Sequence, residues 1–301
     1  MSLIVTGSIG IDTVEAPTGH ADEVLGGSCV YFAAAASFFG PVRVVGAVGE
    51  DFPDDHLGVL QQFNIDLTGL ERRLGSKTFR WHGRYLQNMN SRQTVSVEPN
   101  VLAEALPPVP AGFRDSRYIF LANTHPAGQL ELLDQFPDRK LAVADTMDLW
   151  IDTERATLLD LLRRIDGLVL NNDEAEQLTD ESNVIRAAQK IVAMGPKFVV
   201  VKKGEHGALI DHGTTRVVLP AYPAQDVVDP TGAGDSFGGG MMGYLAAHGD
   251  LSPPGMRRAM AYGTIVASFN IESFSLDRLS QISREDIEKR YREYAEMLAL
   301  Q

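Results

Sequence analysis

The sequence predicts a doubly wound α/β fold with a mostly parallel sheet and a small β-sheet lid. Three observations carry that expectation. Short runs that are apolar at every position recur along the chain, helical patterns fall between them, and two segments break the alternation. Fully apolar runs suit strands covered on both faces, as in a parallel sheet. Strand–helix alternation supplies the right-handed crossovers that such a sheet needs.

The apolar runs are Leu3 to Thr6, Val42 to Val48, Tyr118 to Ala122, Leu141 to Ala144, Leu168 to Leu170 and Phe198 to Val201. Helical spacing appears at Ser28 to Phe39, Pro53 to Phe63, Thr153 to Ile165, Val184 to Met194, Ser236 to Ala247 and Met256 to Ile271. Ser283-Arg284-Glu285-Asp286 reads as a capping-box start to a last, charged amphipathic helix. The two segments that break the pattern are Ile11 to Leu25 and Lys77 to Val97. The second alternates with period two around a central turn, as a hairpin does, and no crossover helix neighbours it. A lid formed by 11–25 and 77–97 is the economical reading; an edge hairpin of the main sheet is the alternative. Without internal repeats or a Pro-, Gly- or Ser-rich linker, residues 1–301 read as one domain.

Composition limits the partners. A net charge of −13 argues against nucleic acid and anionic membranes, which reward a basic face. A single cysteine, Cys29, excludes intrachain disulfides and suits a reducing compartment. The N-terminal Met-Ser-Leu-Ile-Val-Thr-Gly lacks the features of a signal peptide. The longest apolar run, Val30 to Phe39, is too short to span a bilayer. The expectation is a soluble, cytoplasmic protein whose anionic ligands are met locally; a homodimer is left open.

One stretch organises the chemistry: Asp229-Pro230-Thr231-Gly232-Ala233-Gly234-Asp235-Ser236-Phe237. Pro230 holds Asp229 extended, and Gly232 and Gly234 permit positive φ and close approach to a ligand. Amides converging at the head of a helix form an anion socket, best suited to phosphate. A carboxylate there repels the anion, so Asp235 makes sense if it takes a proton from a hydroxyl. The alternative is a glycine turn with an aspartate cap, which needs neither glycine.

Other polar residues stand where apolar runs end: Asn123, Asp145, Asn171 and Lys202. Parallel sheets bind ligands at the carboxyl ends of their strands. Glu174 follows Asn171 by three, as a carboxylate acting on phosphate through a metal would, or as an acid favoured by a helix dipole. Lys202 either meets a phosphate or is a solvated strand end beside the Gly204-Glu205-His206-Gly207 turn.

The stretch 229–237 resembles the C-terminal signature of the ribokinase-like (PfkB) family of carbohydrate and nucleoside kinases. The resemblance implies ATP and Mg²⁺ as cofactors, leaves room for a monovalent cation such as K⁺, and casts Asp235 as the catalytic base. It assigns Thr231, Gly232, Ala233, Gly234, Asn171, Lys202, Gly204 and Gly207 to ATP and its phosphates, and Glu174 to the metal. Asp12, after Gly7-Ser8-Ile9-Gly10, is then expected to accept hydrogen bonds from acceptor hydroxyls. Gly26 and Gly27 are similar to the family's first signature, where bare backbone meets the substrate. Two departures bear on the acceptor. Tyr31 stands where many members carry Asn, and it either stacks on a ring or is core. Asp145-Thr146-Met147-Asp148-Leu149 replaces an Asp-x-Asn-x-Arg pattern, so ribose, fructose and 2-keto-3-deoxygluconate lose ground. The expected activity is ATP-dependent phosphorylation of a small sugar or polyol. A nucleoside kinase is one alternative, and a catalytically silent sugar or nucleotide sensor is another. A Rossmann dehydrogenase is excluded, because the first strand lacks Gly-x-Gly-x-x-Gly after it.

Overall fold

All four residues of the first strand are buried, and alternate ones enter different cores: Leu3 and Val5 one, Ile4 the other. That is the pattern of a strand covered on both faces. A computed structural model of the chain describes residues 2–299. Met1, Leu300 and Gln301, counted in the single domain the sequence suggests, lie outside the described residues.

The chain begins with β1 (Leu3–Thr6) and departs from the main layer as β2 (Gly10–Ala16) and β3 (Gly19–Gly26). It returns through α1 (Ser28–Ser37), β4 (Val42–Gly49), α2 (Asp54–Leu60) and β5 (Ile65–Arg73). A second departure forms β6 (Phe79–Tyr85) and β7 (Arg92–Glu98). Then follow β8 (Tyr118–Leu121), α3 (Pro126–Leu133), β9 (Leu141–Asp145), α4 (Asp148–Thr153), α5 (Arg155–Leu162) and β10 (Gly167–Asn171). Next come α6 (Asn172–Thr179), α7 (Val184–Ala193), β11 (Phe198–Lys202), β12 (Ala208–Asp211) and β13 (Arg216–Leu219). Four helices close the chain: α8 (Ala233–His248), α9 (Pro253–Asn270), α10 (Asp277–Gln281) and α11 (Arg284–Leu298).

The main sheet has the order β13-β12-β11-β10-β9-β8-β1-β4-β5, parallel from β11 to β5, with β12 and β13 antiparallel at one edge. Helices α1, α8, α9 and α11 pack on one face around Phe32, Met241 and Ile265; α3, α5, α6 and α7 cover the other around Leu133, Leu161 and Ile191. The two departures form a separate four-stranded sheet, β3-β2-β6-β7, so the edge-hairpin alternative fails. Within it β2 and β6 run parallel, and the other pairs are antiparallel.

Beyond α3, α4, α10, β12 and β13, which the sequence reading does not name, two elements differ from it. β5 is an added edge strand; only Gly69 of its nine residues is buried, so no apolar run announces it. α8 begins at Ala233, three residues earlier than its apolar pattern suggests, which places the whole Gly-Ala-Gly-Asp stretch at its head. The capping box at Ser283 is present, with Asp286 accepting the Ser283 amide at 2.8 Å.

Glycines let α8 lie close on α1. A Cβ at Gly239 would strike the Phe32 carbonyl oxygen and come within 2.8 Å of the Ala35 Cβ. Gly239→Ala gains up to about 1 kcal/mol in helix propensity, yet the backbone oxygen cannot yield, and overpacking costs about 1–3 kcal/mol. A net loss of stability is expected in urea denaturation. Gly58→Ala in α2, where a Cβ meets nothing within 4 Å, is expected to gain up to about 1 kcal/mol. Equal effects at the two positions would contradict the close packing of α1 on α8.

Candidate active site

The turn before α8 is fixed from several directions. Asp229 Oδ1 accepts the Thr231 amide at 2.8 Å, and the Asp229 amide donates to the Ile271 carbonyl. Asn270 donates to the Thr231 carbonyl at 2.7 Å and accepts from the Ser236 hydroxyl. Gly232 caps the helix with φ +72°, and a Cβ there would run into the Tyr31 ring from α1. Only glycine satisfies both demands. The Ala233 amide donates to the Pro230 carbonyl at 3.1 Å. Of the three turn amides expected to face an anion, Ala233 is therefore engaged inside the turn. Among the described residues, the Gly232, Gly234 and Asp235 amides have no internal partner.

Asp235 lies in a buried cluster of charges. Burial pushes its carboxyl up to about 7; Asp145 and Glu174 add to the rise, while Lys202 and Arg92 oppose it. Lys202 Nζ lies 3.4 Å from Asp145 Oδ2, and a Cβ at Gly234 would come within 2.8 Å of it. Burial works against the Lys202 charge, but Asp145, Glu174 and Asp235 outweigh it and hold its pKa above the ordinary range. The solvated reading of Lys202 is thereby replaced by a half-buried cation beside the anion turn. Glu174 is raised to about 7, by burial first and then by Asp145, with Lys202 opposing.

Glu174 also caps its helix. Its Oε2 accepts the Asn171 amide and its own amide donates to Asn171 Oδ1, both at 2.8 Å. The capping reading of these two residues is met by this geometry. Among the described residues no three acidic, histidine or cysteine side chains are grouped to hold a metal. A divalent ion here would rely on phosphate oxygens and waters, with one or two carboxylates nearby, as Mg²⁺ commonly does. Asp145 and Glu174 fit that arrangement.

A second buried cluster adjoins the first. Asp12 on β2 is pushed up to about 8 by burial and then by Asp229; the Gly27 amide opposes the rise and Asp235 adds to it. Gly26 leaves room for this carboxylate, and Gly27, at φ +103°, precedes α1 with its backbone against Ser8. The Tyr31 phenol is raised by burial and then by Asp12, Asp229, Tyr85 and Asp235. Asp12 Oδ1, the Tyr31 hydroxyl and Asp229 Oδ2 are all buried without a hydrogen-bond partner. Each such atom ordinarily costs about 1–3 kcal/mol, and three in mutual electrostatic reach suit a polar, hydroxyl-bearing ligand.

The remaining expected residues are placed as follows. Thr231 Oγ1 lies 3.2 Å from the Tyr85 hydroxyl of β6. Gly204 (φ +53°) and Gly207 (φ +84°) shape the turn after β11; Gly204 lies beside Asn90, which donates to Glu205 at 3.1 Å. Asn123 is not brought in: Trp150 donates to its Oδ1 at 2.9 Å. Arg92 and Tyr85, both from the small sheet, and Asn270 went unseen in the sequence. The alternation in 77–97 gives the face Tyr85 shares, but nothing local says that the sheet folds back onto the turn.

Carboxylates and a lysine at strand ends, facing free amides at the head of a helix, make an arrangement suited to phosphoryl transfer at the carboxyl edge of a parallel sheet. The chain belongs to the pfkB family of carbohydrate kinases, whose model matches residues 23–281. It is 30% identical over 251 residues to a cytidine kinase of Thermococcus kodakarensis, covering 81% of this chain and 88% of that enzyme. The nucleoside kinase of Methanocaldococcus jannaschii, an archaeal member of the ribokinase family, superposes with a TM-score of 0.78 at 18% identity, over 97% of this chain and 99% of that one. A putative ribokinase II from E. coli, solved with ATP and Mg²⁺, gives 0.78 at 18% identity, over 97% and 99%. The fold is thus ribokinase-like. No helix among the described residues is long and apolar enough to cross a membrane.

Because Lys202 opposes the rise at Asp235, Lys202→Met is expected to move the Asp235 titration above its value of about 7. Carboxyl ¹³C NMR titration, assigned with Asp235→Asn, reads it. A downward or absent shift would contradict the cluster.

Proposed function

We propose that this chain is an ATP-dependent kinase that phosphorylates a hydroxyl of a small sugar, polyol or nucleoside, with Asp235 as base. The observation that carries the proposal is the pairing of two features. A carboxylate raised to about 7 by burial stands at the head of an amide-lined helix, and the partnerless Asp12 Oδ1 and Tyr31 hydroxyl lie beside it. Kinship with the family, including a cytidine kinase along most of the chain, supports it.

The acceptor's vicinal hydroxyls satisfy Asp12 and Tyr31, and the reacting hydroxyl faces Asp235. Asp235 accepts the proton as the alcohol oxygen bonds to the γ-phosphorus, and ADP leaves with the electron pair of the broken bond. The Gly232 and Gly234 amides and Lys202 stabilise the phosphoryl group in transfer. Asn171, Gly204 and Gly207 belong to the nucleotide side of the site. Glu174 and Asp145 would hold the waters of a Mg²⁺ ion, which would supply neutralisation of phosphate charge. Kinship with the family leaves room for a monovalent cation such as K⁺. The Tyr31 ring, packed on Gly232, contributes its hydroxyl to the acceptor side, while its face supports the turn.

Acceptor-dependent ADP release over sugars, cyclitols and nucleosides tests the assignment. For the true acceptor, removing a hydroxyl held by Asp12 is expected to lower kcat/KM far more than a remote change, since it leaves buried polar atoms unpaired. The penalty should vanish in Asp12→Ala; equal penalties in both proteins would place the acceptor elsewhere.

Glu174→Gln is expected to raise the Mg²⁺ concentration for half-activity, and an unchanged titration would leave Glu174 a helix cap alone. Asp235 acts deprotonated, so kcat/KM should fall as pH drops below about 7. A profile flat from pH 8 to 5 would contradict that role.

A further inference from the structure

Trp81 has no part in the account so far, yet it stands next to Asp12. The two are paired across β2 and β6, which puts their side chains on one face of the small sheet. The six-membered ring of Trp81 lies over Gly83, two residues further along that face, where any Cβ would collide with it. Its indole N–H donates to Thr94 of β7 at 3.3 Å, and the Arg92 guanidinium stands 5.8 Å from the ring centre. The ring is thus laid down on the sheet and tethered. Unlike the core aromatics it stays partly exposed, so packing alone does not account for it. The same strand continues to Tyr85, whose hydroxyl meets Thr231 of the phosphate turn. The face carrying Trp81 is therefore the one that turns toward the site.

We propose that the acceptor is a nucleoside, its ribose held at Asp12 and its base stacked on Trp81. The proposal rests on the kinase reading above and narrows its substrate. A free sugar or cyclitol held by its hydroxyls at Asp12 carries no planar π-face and offers the tethered indole only C–H groups, a weaker match than a base. A nucleoside joins vicinal hydroxyls and an aromatic ring through one bond, matching a carboxylate and an indole on adjacent strands. Stacking accepts any base, so Trp81 sets the class of acceptor and leaves the choice of base to other groups.

The test compares ADP release with cytidine, uridine, adenosine, inosine and guanosine against free ribose and myo-inositol. At least one nucleoside is expected to exceed ribose by tenfold or more in kcat/KM. Trp81→Leu is expected to raise the KM for that nucleoside on the order of ten- to a hundredfold, with kcat and the KM for ATP nearly unchanged. Trp81→Phe should keep most of the affinity. In a Trp150→Phe background, the same nucleoside should quench the remaining Trp81 emission. Should a base-free acceptor be preferred, or Trp81→Leu leave the nucleoside KM unchanged, the stacking proposal fails while the kinase reading stands. Should no acceptor of either kind release ADP, both fail.

Discussion

The contact on which the site depends is the Tyr31 ring against the bare backbone of Gly232. It exists because α1 and α8 lie so close that glycines must fill their interface: Gly239 over Phe32 and Ala35, Gly243 over Ala36 and Phe39. That closeness brings the Gly26–Gly27 entry to α1 against the amide head of α8. The side proposed for the acceptor, at Asp12 and Tyr31, is thereby set in register with the side proposed for phosphate, Gly232 to Asp235. A side chain at Gly232 would break the φ +72° cap and push the two halves apart in one step.

Burial then gives these groups their chemistry. Asp145 and Glu174, both buried, and the half-buried Asp235 act on one another together with the half-buried Lys202 and the exposed Arg92, and neither sign of charge is in large excess. Desolvation and the neighbouring carboxylates raise the Asp235 carboxyl, and Lys202 and Arg92 lower it. Their opposition leaves it near 7, where a general base is most effective. Arg92 comes from the small sheet, as do Asp12, Tyr85 and Trp81. The sheet thus supplies charge and recognition to a centre whose phosphate side belongs to the main layer.

Much of this could be read from the chain because the signals are local. The largely apolar strands β1, β4, β8, β9, β10 and β11 and the Gly-Ala-Gly-Asp turn announce themselves within a few residues. The strand-end rule picked out Asp145 and Lys202, which do meet. It also picked out Asn123, which instead supports Trp150, because strand-end position does not fix side-chain direction. β5 was hidden by its exposure, and the head of α8 by its glycines, which read as a turn even where they are helical. Arg92, Tyr85, Trp81 and Asn270 depend on contacts across long stretches of chain, and no spacing reveals those.

The most direct test of the central claim is kcat for Asp235→Asn, measured under saturating ATP, Mg²⁺ and acceptor. The amide keeps the shape of the carboxyl and cannot take the proton. The account predicts unchanged ATP binding and a fall in kcat of at least about a hundredfold. Turnover near that of the unaltered protein would contradict it and remove Asp235 from the chemistry.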